Sequence, residues 1–261
     1  MTRYLVRRDP TVKLAVALGI SLALVFIIDP VTPLLFLGLA CVAAVAFGGV
    51  PLRTFLRGLA PLAVIALGFV WTNAVFAVPA PGDSVWRAGP FAASASGLRF
   101  GLGIGLRGLA IGAISLAAVR TSDPTQLVVS LIHNARVPYR IGYAMLAAYR
   151  FFPIVGAEYA RIRLAQRVRG VRADSVVERA NGALRGIIPL FADATRRATR
   201  IAIAMDARGF ASAGRRTYHR LAPITPADRA FALGAVLLVA ALLGLGAAAG
   251  WLRLWDGRFS A

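Results

Sequence analysis

Residues 230–251 read AFALGAVLLVAALLGLGAAAGW, a run of 22 residues without a charged side chain. A helix that crosses about 30 Å of hydrocarbon needs about 20 mainly apolar residues. This stretch therefore predicts a membrane-spanning helix. Its Gly246-xxx-Gly250 spacing is also typical of a site where a second helix backbone approaches closely.

The rest of the chain has the same character. Of 261 residues, 58% are hydrophobic and only 16% are charged, and the mean hydropathy is +0.70. A soluble domain has about 25% charged residues. Four further apolar stretches predict spans at 12–28, 33–50, 59–78 and 97–119, and helix-breaking residues at 79–90 predict an external loop. The predicted fold class is an all-α, polytopic integral membrane protein with about five transmembrane helices.

Positive charge indicates the orientation of the spans. Arg3, Arg7 and Arg8 precede the first span, which places the N-terminus in the cytoplasm. Residues 136–220 hold 17 arginines against five acidic residues, and so supply +12 of the net charge of +19. Because apolar residues recur at helical spacing in this region, it predicts two or three amphipathic cytoplasmic helices, although 141–157 is apolar enough to enter the bilayer.

Three regions follow from these patterns. Residues 1–120 are expected to form the N-terminal transmembrane helices. Residues 121–220 are expected to form an arginine-rich cytoplasmic or interfacial region. Residues 221–261 are expected to form the C-terminal transmembrane helix and tail.

The composition argues against an enzyme. Lys13 is the single lysine and no glycine-rich run precedes it, so the chain lacks a P-loop of its own. One cysteine and two separated histidines offer no metal cluster, and no nucleophile elbow or carboxylate pair is present. We expect no catalytic residue, no metal site and no cofactor. The high charge is explained by the cytoplasmic bias of arginine, so nucleic acid is not an expected partner.

The span at 97–119 carries a stripe of small residues that predicts close helix packing or a surface for a membrane partner. Arg107 lies within this span and is expected to face a protein interior, a cleft or an interface, because an unpaired charge in lipid is costly. The glycine stripe consists of Gly97, Gly101, Gly105, Gly108 and Gly112.

A short pattern occurs twice in the arginine-rich region. Residues 165–170 read AQRVRG and residues 204–209 read AMDARG, 39 residues later. Glycine after an apolar-periodic stretch is typical of a helix end, where an arginine also meets the negative end of the helix dipole. The simplest interpretation is two ordinary helix ends. A sharper interpretation is that each slim tip lies in a partner's groove, where the planar guanidinium binds carboxylates or carbonyls.

The chain resembles the transmembrane T component of energy-coupling factor transporters. In that family a pair of ABC-type ATPases is coupled to a small-molecule-binding membrane S component. The resemblance is most specific at the two arginine motifs, and it extends to these other segments: Asp9–Leu14, Arg120–Leu127, Tyr149–Pro153, Glu158, Ile188–Leu190 and Arg216-Thr217.

The resemblance implies how the motifs act. Each would end a cytoplasmic coupling helix and dock on one ATPase, and the S component would bind a vitamin or a transition-metal ion. The motif residues are then Val168, Arg169 and Gly170 in the first helix and Ala207, Arg208 and Gly209 in the second. Val168 departs from the family's usual alanine, and Gln166, Asp206 and Glu158 are possible supports of the motifs.

The chain would thus be a non-catalytic coupling subunit in the cell membrane, in contact with two ATPases, an S component and lipid. An alternative hypothesis is a membrane-anchored structural or regulatory protein. Its basic cytoplasmic region would bind anionic lipid or nucleic acid, and only the charge of its arginines would matter.

Overall fold

The computed structural model of the chain describes residues 4–76, 85–88, 91–170, 175–210 and 222–251. Arg216 and Thr217, one of the segments that carry the family resemblance, lie outside these residues. The described helices and strands are α1 (Pro10–Val25), α2 (Val31–Val42), α3 (Leu52–Phe76), β1 (Val85–Ala88), β2 (Phe91–Ser94), α4 (Ala95–Arg120), α5 (Pro124–Asn134), α6 (Tyr139–Val168), α7 (Val176–Ala207) and α8 (Pro226–Ala248).

The predicted all-α membrane class is confirmed, and each of the five apolar stretches coincides with a helix. Within the described residues, α3, α4 and α8 are long and apolar enough to cross a membrane. The first two stretches form shorter apolar helices, α1 and α2, and α2 continues into a π-helical turn at Ala43–Phe47. The composition identifies these two segments as apolar, but their helices are shorter than 18 residues.

Part of the predicted external loop is ordered as a hairpin. Strands β1 and β2 pair antiparallel, with Val85 opposite Ser94 and Ala88 opposite Phe91. Ser94 is buried, and its hydroxyl accepts a hydrogen bond from the backbone N–H of Gly97 at 3.1 Å. This bond is an N-cap, so the hairpin leads directly into α4. The helix breakers at 79–83 and 89–90 lie outside the described residues.

The chain divides into two units. The first consists of Met1–Arg136 and Ala222–Ala261, and the second of Val137–Leu221. Helix α5, which the composition groups with the arginine-rich region, belongs to the first unit. The hydrophobic core of the first unit has two clusters. One is centred on Phe55 and lies between α2, α3 and α4. The other is centred on Leu24 and Phe36 and lies between α1, α2 and α4.

The glycine stripe of α4 is mainly a packing surface within the chain. A Cβ atom added at Gly101 would lie 3.0 Å from Val70 of α3, and one at Gly105 would lie 3.0 Å from the carbonyl oxygen of Ala66. At Gly112 the added atom would overlap the side chain of Leu62. Gly97 is buried, whereas Gly108 is exposed and faces open space. The stripe therefore joins α3 and α4 and leaves Gly108 outside that contact.

Two glycines of α4 are expected to respond oppositely to alanine. A Cβ at Gly103 would lie 2.6 Å from the carbonyl oxygen of Ile28, so Gly103→Ala forces backbone apart and should destabilise the protein. Nothing lies within 4 Å of a Cβ at Gly108, so Gly108→Ala should stabilise it by about 0.5–1 kcal/mol through helix propensity. Thermal unfolding of both purified variants tests the pair, and equal shifts of the same sign would contradict the packing.

Arg107 lies half-buried on α4, as its place in an apolar span requires. Its guanidinium donates a hydrogen bond of 3.2 Å to the carbonyl oxygen of Val25, the last residue of α1. The charge therefore lies at the negative end of the α1 dipole. This placement matches the expected protein-facing environment.

Candidate functional site

The two arginine motifs form the same type of turn at the ends of α6 and α7. Each helix ends one residue before its motif arginine, and the following glycine has a positive φ, +79° at Gly170 and +74° at Gly209. Residues other than glycine rarely adopt this backbone conformation without strain. The glycine of each motif is thus required by the turn, whatever the arginine binds.

Hydrogen bonds close both turns. In the second motif the N–H of Phe210 bonds to the carbonyl oxygen of Met205 at 3.0 Å, and the N–H of Gly209 to that of Asp206 at 2.9 Å. These two bonds define a Schellman motif. In the first motif the N–H of Gly170 bonds to the carbonyl oxygen of Arg167 at 3.0 Å, which is the equivalent inner bond. Both tips therefore have a defined backbone shape.

Phe210 fixes the second turn against the start of α6. Its ring makes edge-to-face contacts with Tyr139, at 5.6 Å between centroids, and with Tyr143, at 6.0 Å. Such aromatic pairs contribute about 0.5–1.5 kcal/mol beyond the area that they bury. The tip that carries Arg208 is thus held by packing as well as by its backbone bonds.

The first turn is preceded by a contact between the end of α6 and the start of α7. The side-chain oxygen of Gln166 accepts a hydrogen bond from Arg163 at 3.3 Å. A Cβ at Gly182 would overlap Arg163, and one at Gly186 would lie 3.3 Å from Tyr159. Small residues on α7 therefore let α6 approach closely, and Gln166 lies in this contact one turn before Arg169.

These contacts show that α6 and α7 run antiparallel. The start of α7 lies beside the end of α6. Further along, the guanidinium of Arg197 in α7 lies 5.6 Å from the ring centre of Phe151 in α6. Phe210, which follows α7, contacts Tyr139 at the start of α6. Because α6 has 30 residues, its two ends are about 45 Å apart. The motif arginines therefore lie at opposite ends of the helix pair, and so do Gln166 and Asp206.

The motif side chains face outward within their unit. Arg169, Gly170, Ala207, Arg208 and Gly209 are all exposed, and Val168 is 82% exposed. Among the described residues, neither motif arginine lies within 4 Å of a carboxylate. Both arginines are thus exposed on short turns at the ends of α6 and α7.

The other predicted supports have local roles. Glu158 pairs with Arg161 at 3.4 Å, as their spacing predicts, and lies about three turns from Arg169. The Tyr139 hydroxyl raises the pKa of Arg140, and the Asp206 carboxylate adds to this effect. Asp206 therefore acts electrostatically on the start of α6, and in the described part of the chain it forms no ion pair with Arg208.

A buried polar cluster in the first unit was not predicted as a site. Asp9 accepts hydrogen bonds from the backbone N–H groups of Thr11 and Val12, at 2.9 and 3.2 Å, and from the hydroxyl of Ser130, at 2.7 Å. Its own N–H bonds to the carboxylate of Asp228 at 3.1 Å. The cluster thus joins the starts of α1 and α8 to α5.

Two further buried or half-buried side chains, Asn134 and Lys13, make hydrogen bonds beside this cluster. The amide of Asn134 donates to Ser130 at 2.9 Å and to the carbonyl oxygen of Ala222 at 3.1 Å. Lys13, which is 4% exposed, donates to the carbonyl oxygen of Thr121 at 2.7 Å. The sequence contains one signal for this cluster, the Asp9-Pro10 pair, which is typical of a helix start. This signal predicts that Asp9 caps α1, but it does not predict that Asp9 contacts Ser130 and Asp228. Within the described residues, no group of three or more His, Cys, Asp or Glu side chains could hold a metal ion.

Comparison with known proteins gives a consistent result. A family model named CbiQ and described as "Cobalt transport protein" matches residues 1–219. The chain is 31% identical over 236 residues to the energy-coupling factor transporter transmembrane protein EcfT of Heliobacterium modesticaldum, covering 87% of this chain and 86% of that protein. It is 32% identical to EcfT of Streptococcus thermophilus over 84% of this chain and 85% of that protein. Against EcfT of Bacillus subtilis the identity is 28%, over 92% of each chain.

Proposed function

The chain belongs to the CbiQ family and is a transmembrane component of the energy-coupling factor type, and from this premise we propose that it couples partner ATPases to a substrate-binding S component. In this role the chain itself would be non-catalytic. ATP would be hydrolysed by two ABC-type ATPases, and a vitamin or a transition-metal ion would be bound by the S component. The N-terminus and the α6–α7 helix pair would lie on the cytoplasmic side, and the arginine bias of these segments supports this orientation.

One observation carries the coupling proposal, namely the placement of Arg169 and Arg208 on matching turns at opposite ends of one helix pair. A separation of about 45 Å is too large for both tips to enter one small groove. It suits two similar grooves, one on each of two ATPases. A displacement of either ATPase would then be transmitted along a continuous helix rather than through a loop.

The chemistry of arginine supports docking over simple charge attraction. A guanidinium presents five donors in a planar fork, whereas a lysine ammonium is a compact, strongly hydrated charge. The turns fix the backbone on each side of the arginine, which limits the entropy lost on binding. Val168 adds bulk beside Arg169, but its side chain points away from its own helix pair and leaves the arginine accessible.

The alternative is a regulatory membrane protein whose basic region binds anionic lipid or nucleic acid. That hypothesis requires positive charge but no particular shape, because headgroup and phosphate attraction is mainly electrostatic. The two hypotheses therefore differ in how they respond to an exchange of arginine for lysine.

The test is purification of the tagged protein from its host in mild detergent, followed by mass spectrometry of the associated proteins. The proposal expects P-loop ATPases and a small hydrophobic protein to copurify with the wild type. It expects ATPase recovery to fall in Arg169→Lys/Arg208→Lys, although less than on truncation to alanine, because lysine keeps the charge and loses the forked geometry. Equal ATPase recovery from both versions would contradict the docking proposal, and recovery of lipid or nucleic acid alone would favour the alternative.

A further inference from the structure

A groove with a volume of about 400 Å³ lies in the first unit between α1, α2, α4 and α8. Apolar side chains form its walls, among them Ile20, Phe36, Leu39 and Val239. Its rim includes Phe47 and Leu238, which are 50% and 42% exposed. In a membrane-spanning protein such a rim faces lipid, so the groove is open to acyl chains.

The dimensions of the groove suit one acyl chain. Along α8 it extends from Ala230 to Val239, about 14 Å, which is close to half of a hydrocarbon core of about 30 Å. An acyl chain is slim, apolar and flexible, so it fits a groove of this length between the four helices.

One end of the groove is polar and includes the donor groups of two side chains. Lys13 and Tyr4 line this end, and Lys13 is the charged residue among the described lining residues. The ammonium group has three N–H donors, and in the described part of the chain it uses one of them, on the carbonyl oxygen of Thr121. Two donors of a nearly fully buried cation thus remain for an acceptor in the groove.

The nearest carboxylates are already occupied by other donors. Asp9 accepts from Thr11, Val12 and Ser130, and Asp228 accepts from Thr225. Among the described residues neither carboxylate lies within 4 Å of Lys13. An acceptor-rich anion is therefore the group that best completes this end of the groove.

We propose that this groove binds one anionic phospholipid, with an acyl chain along α8 and the phosphate against Lys13. The lipid comes from the leaflet that contains the N-terminus, because Tyr4 and Lys13 lie at that end. Bound there, it fills the space between four helices and completes the packing of the first unit. This site is independent of the arginine motifs and of ATPase docking.

Two glycines of α8 provide a matched test. Gly234 lines the groove, whereas Gly244, two to three turns further along, is not among the lining residues. Both are exposed, and neither has an atom within 4 Å of an added Cβ. Gly234→Leu therefore places a side chain in the groove, and Gly244→Leu places the same side chain on open surface.

The experiment is native mass spectrometry of the delipidated full chain, incubated with equal amounts of phosphatidylglycerol and phosphatidylcholine. We expect the wild type and Gly244→Leu to retain one phosphatidylglycerol, with a preference of about fivefold over phosphatidylcholine. Gly234→Leu should lower the retained phosphatidylglycerol at least about fivefold. Lys13→Met should bind both lipids equally, since it keeps the apolar stem and loses the charge.

Three results would overturn the proposal. Retention of phosphatidylglycerol by Gly234→Leu at the level of Gly244→Leu would show that the lipid binds elsewhere. Equal binding of the two lipids by the wild type would show that the groove does not recognise an anionic headgroup. If a membrane protein copurifies with the wild type and is lost only in Gly234→Leu, the groove binds that protein and not a lipid. If Lys13→Met does not fold, the glycine pair still decides the outcome.

Discussion

Replacement of both Arg169 and Arg208 by alanine is expected to remove the ABC-type ATPases from the purified complex. Each arginine is exposed on a rigid turn, and under the proposed function each becomes desolvated in one ATPase groove. Truncation of such an interface arginine costs about 2 kcal/mol or more, roughly thirtyfold in affinity. Because the tips lie at opposite ends of the helix pair, each single variant should retain ATPase through the other motif, at reduced occupancy.

Quantitative mass spectrometry of the copurified ATPases measures this effect. Arg161→Ala and Arg200→Ala are matched controls, since each exposed arginine lies eight residues before a motif arginine on the same helix. They remove the same charge about 12 Å from the tip and should leave ATPase recovery unchanged. A loss in the controls as large as in the motif variants would show that net charge, rather than the two tips, holds the ATPases.

Asp9→Ala is expected to destabilise the first unit by about 3 kcal/mol. The substitution removes the N-cap of α1 and the carboxylate acceptor of the buried Ser130 hydroxyl, which is 0% exposed and keeps only the neutral Thr11 hydroxyl at 2.7 Å. It also removes the oxygen that lies 3.4 Å from the amide of Asn134. A buried hydrogen bond to a charged acceptor contributes more to stability than a bond between neutral groups, so its loss adds to the loss of the cap.

Asp123→Ala is the control for this prediction. Asp123 also precedes a proline and caps a helix, α5, through the N–H of Gln126 at 2.9 Å, but it is exposed. Its loss should cost about 1 kcal/mol, the usual value of a cap alone. Thermal unfolding of both variants in the same detergent should show a Tm decrease at least twice as large for Asp9→Ala. Equal decreases would mean that the buried cluster adds nothing to the cap.

Several features of the fold follow from short stretches of sequence. Hydropathy located the five apolar helices, because insertion into lipid depends on about 20 consecutive residues and little else. The two motif turns were also predicted, since a helix end is determined by residues within one turn of it. The ion pair between Glu158 and Arg161 follows from helical spacing in the same way.

Other features depend on partners far apart in the chain. The stripe of glycines on α4 indicated close packing, but not that α3 would be its partner or that Gly103 would contact the carbonyl oxygen of Ile28. Residues 141–157, which are apolar enough to enter the bilayer, lie within one 30-residue helix, α6, that continues into the arginine-rich segment. Periodicity describes one face of one helix and does not identify what covers it.

The sequence by itself thus determined the membrane class, the apolar helices and the two arginine turns, because each depends on local hydropathy, capping and backbone conformation. Only the tertiary structure decided that Arg169 and Arg208 lie at opposite ends of a helix pair, that Asp9 meets Ser130 and Asp228, and that Lys13 lines an apolar groove. Asp9 and its partners are separated by 121 and 219 residues. Their contacts exist because packed helices bring polar groups together where they must satisfy one another away from water, and no local pattern encodes that pairing.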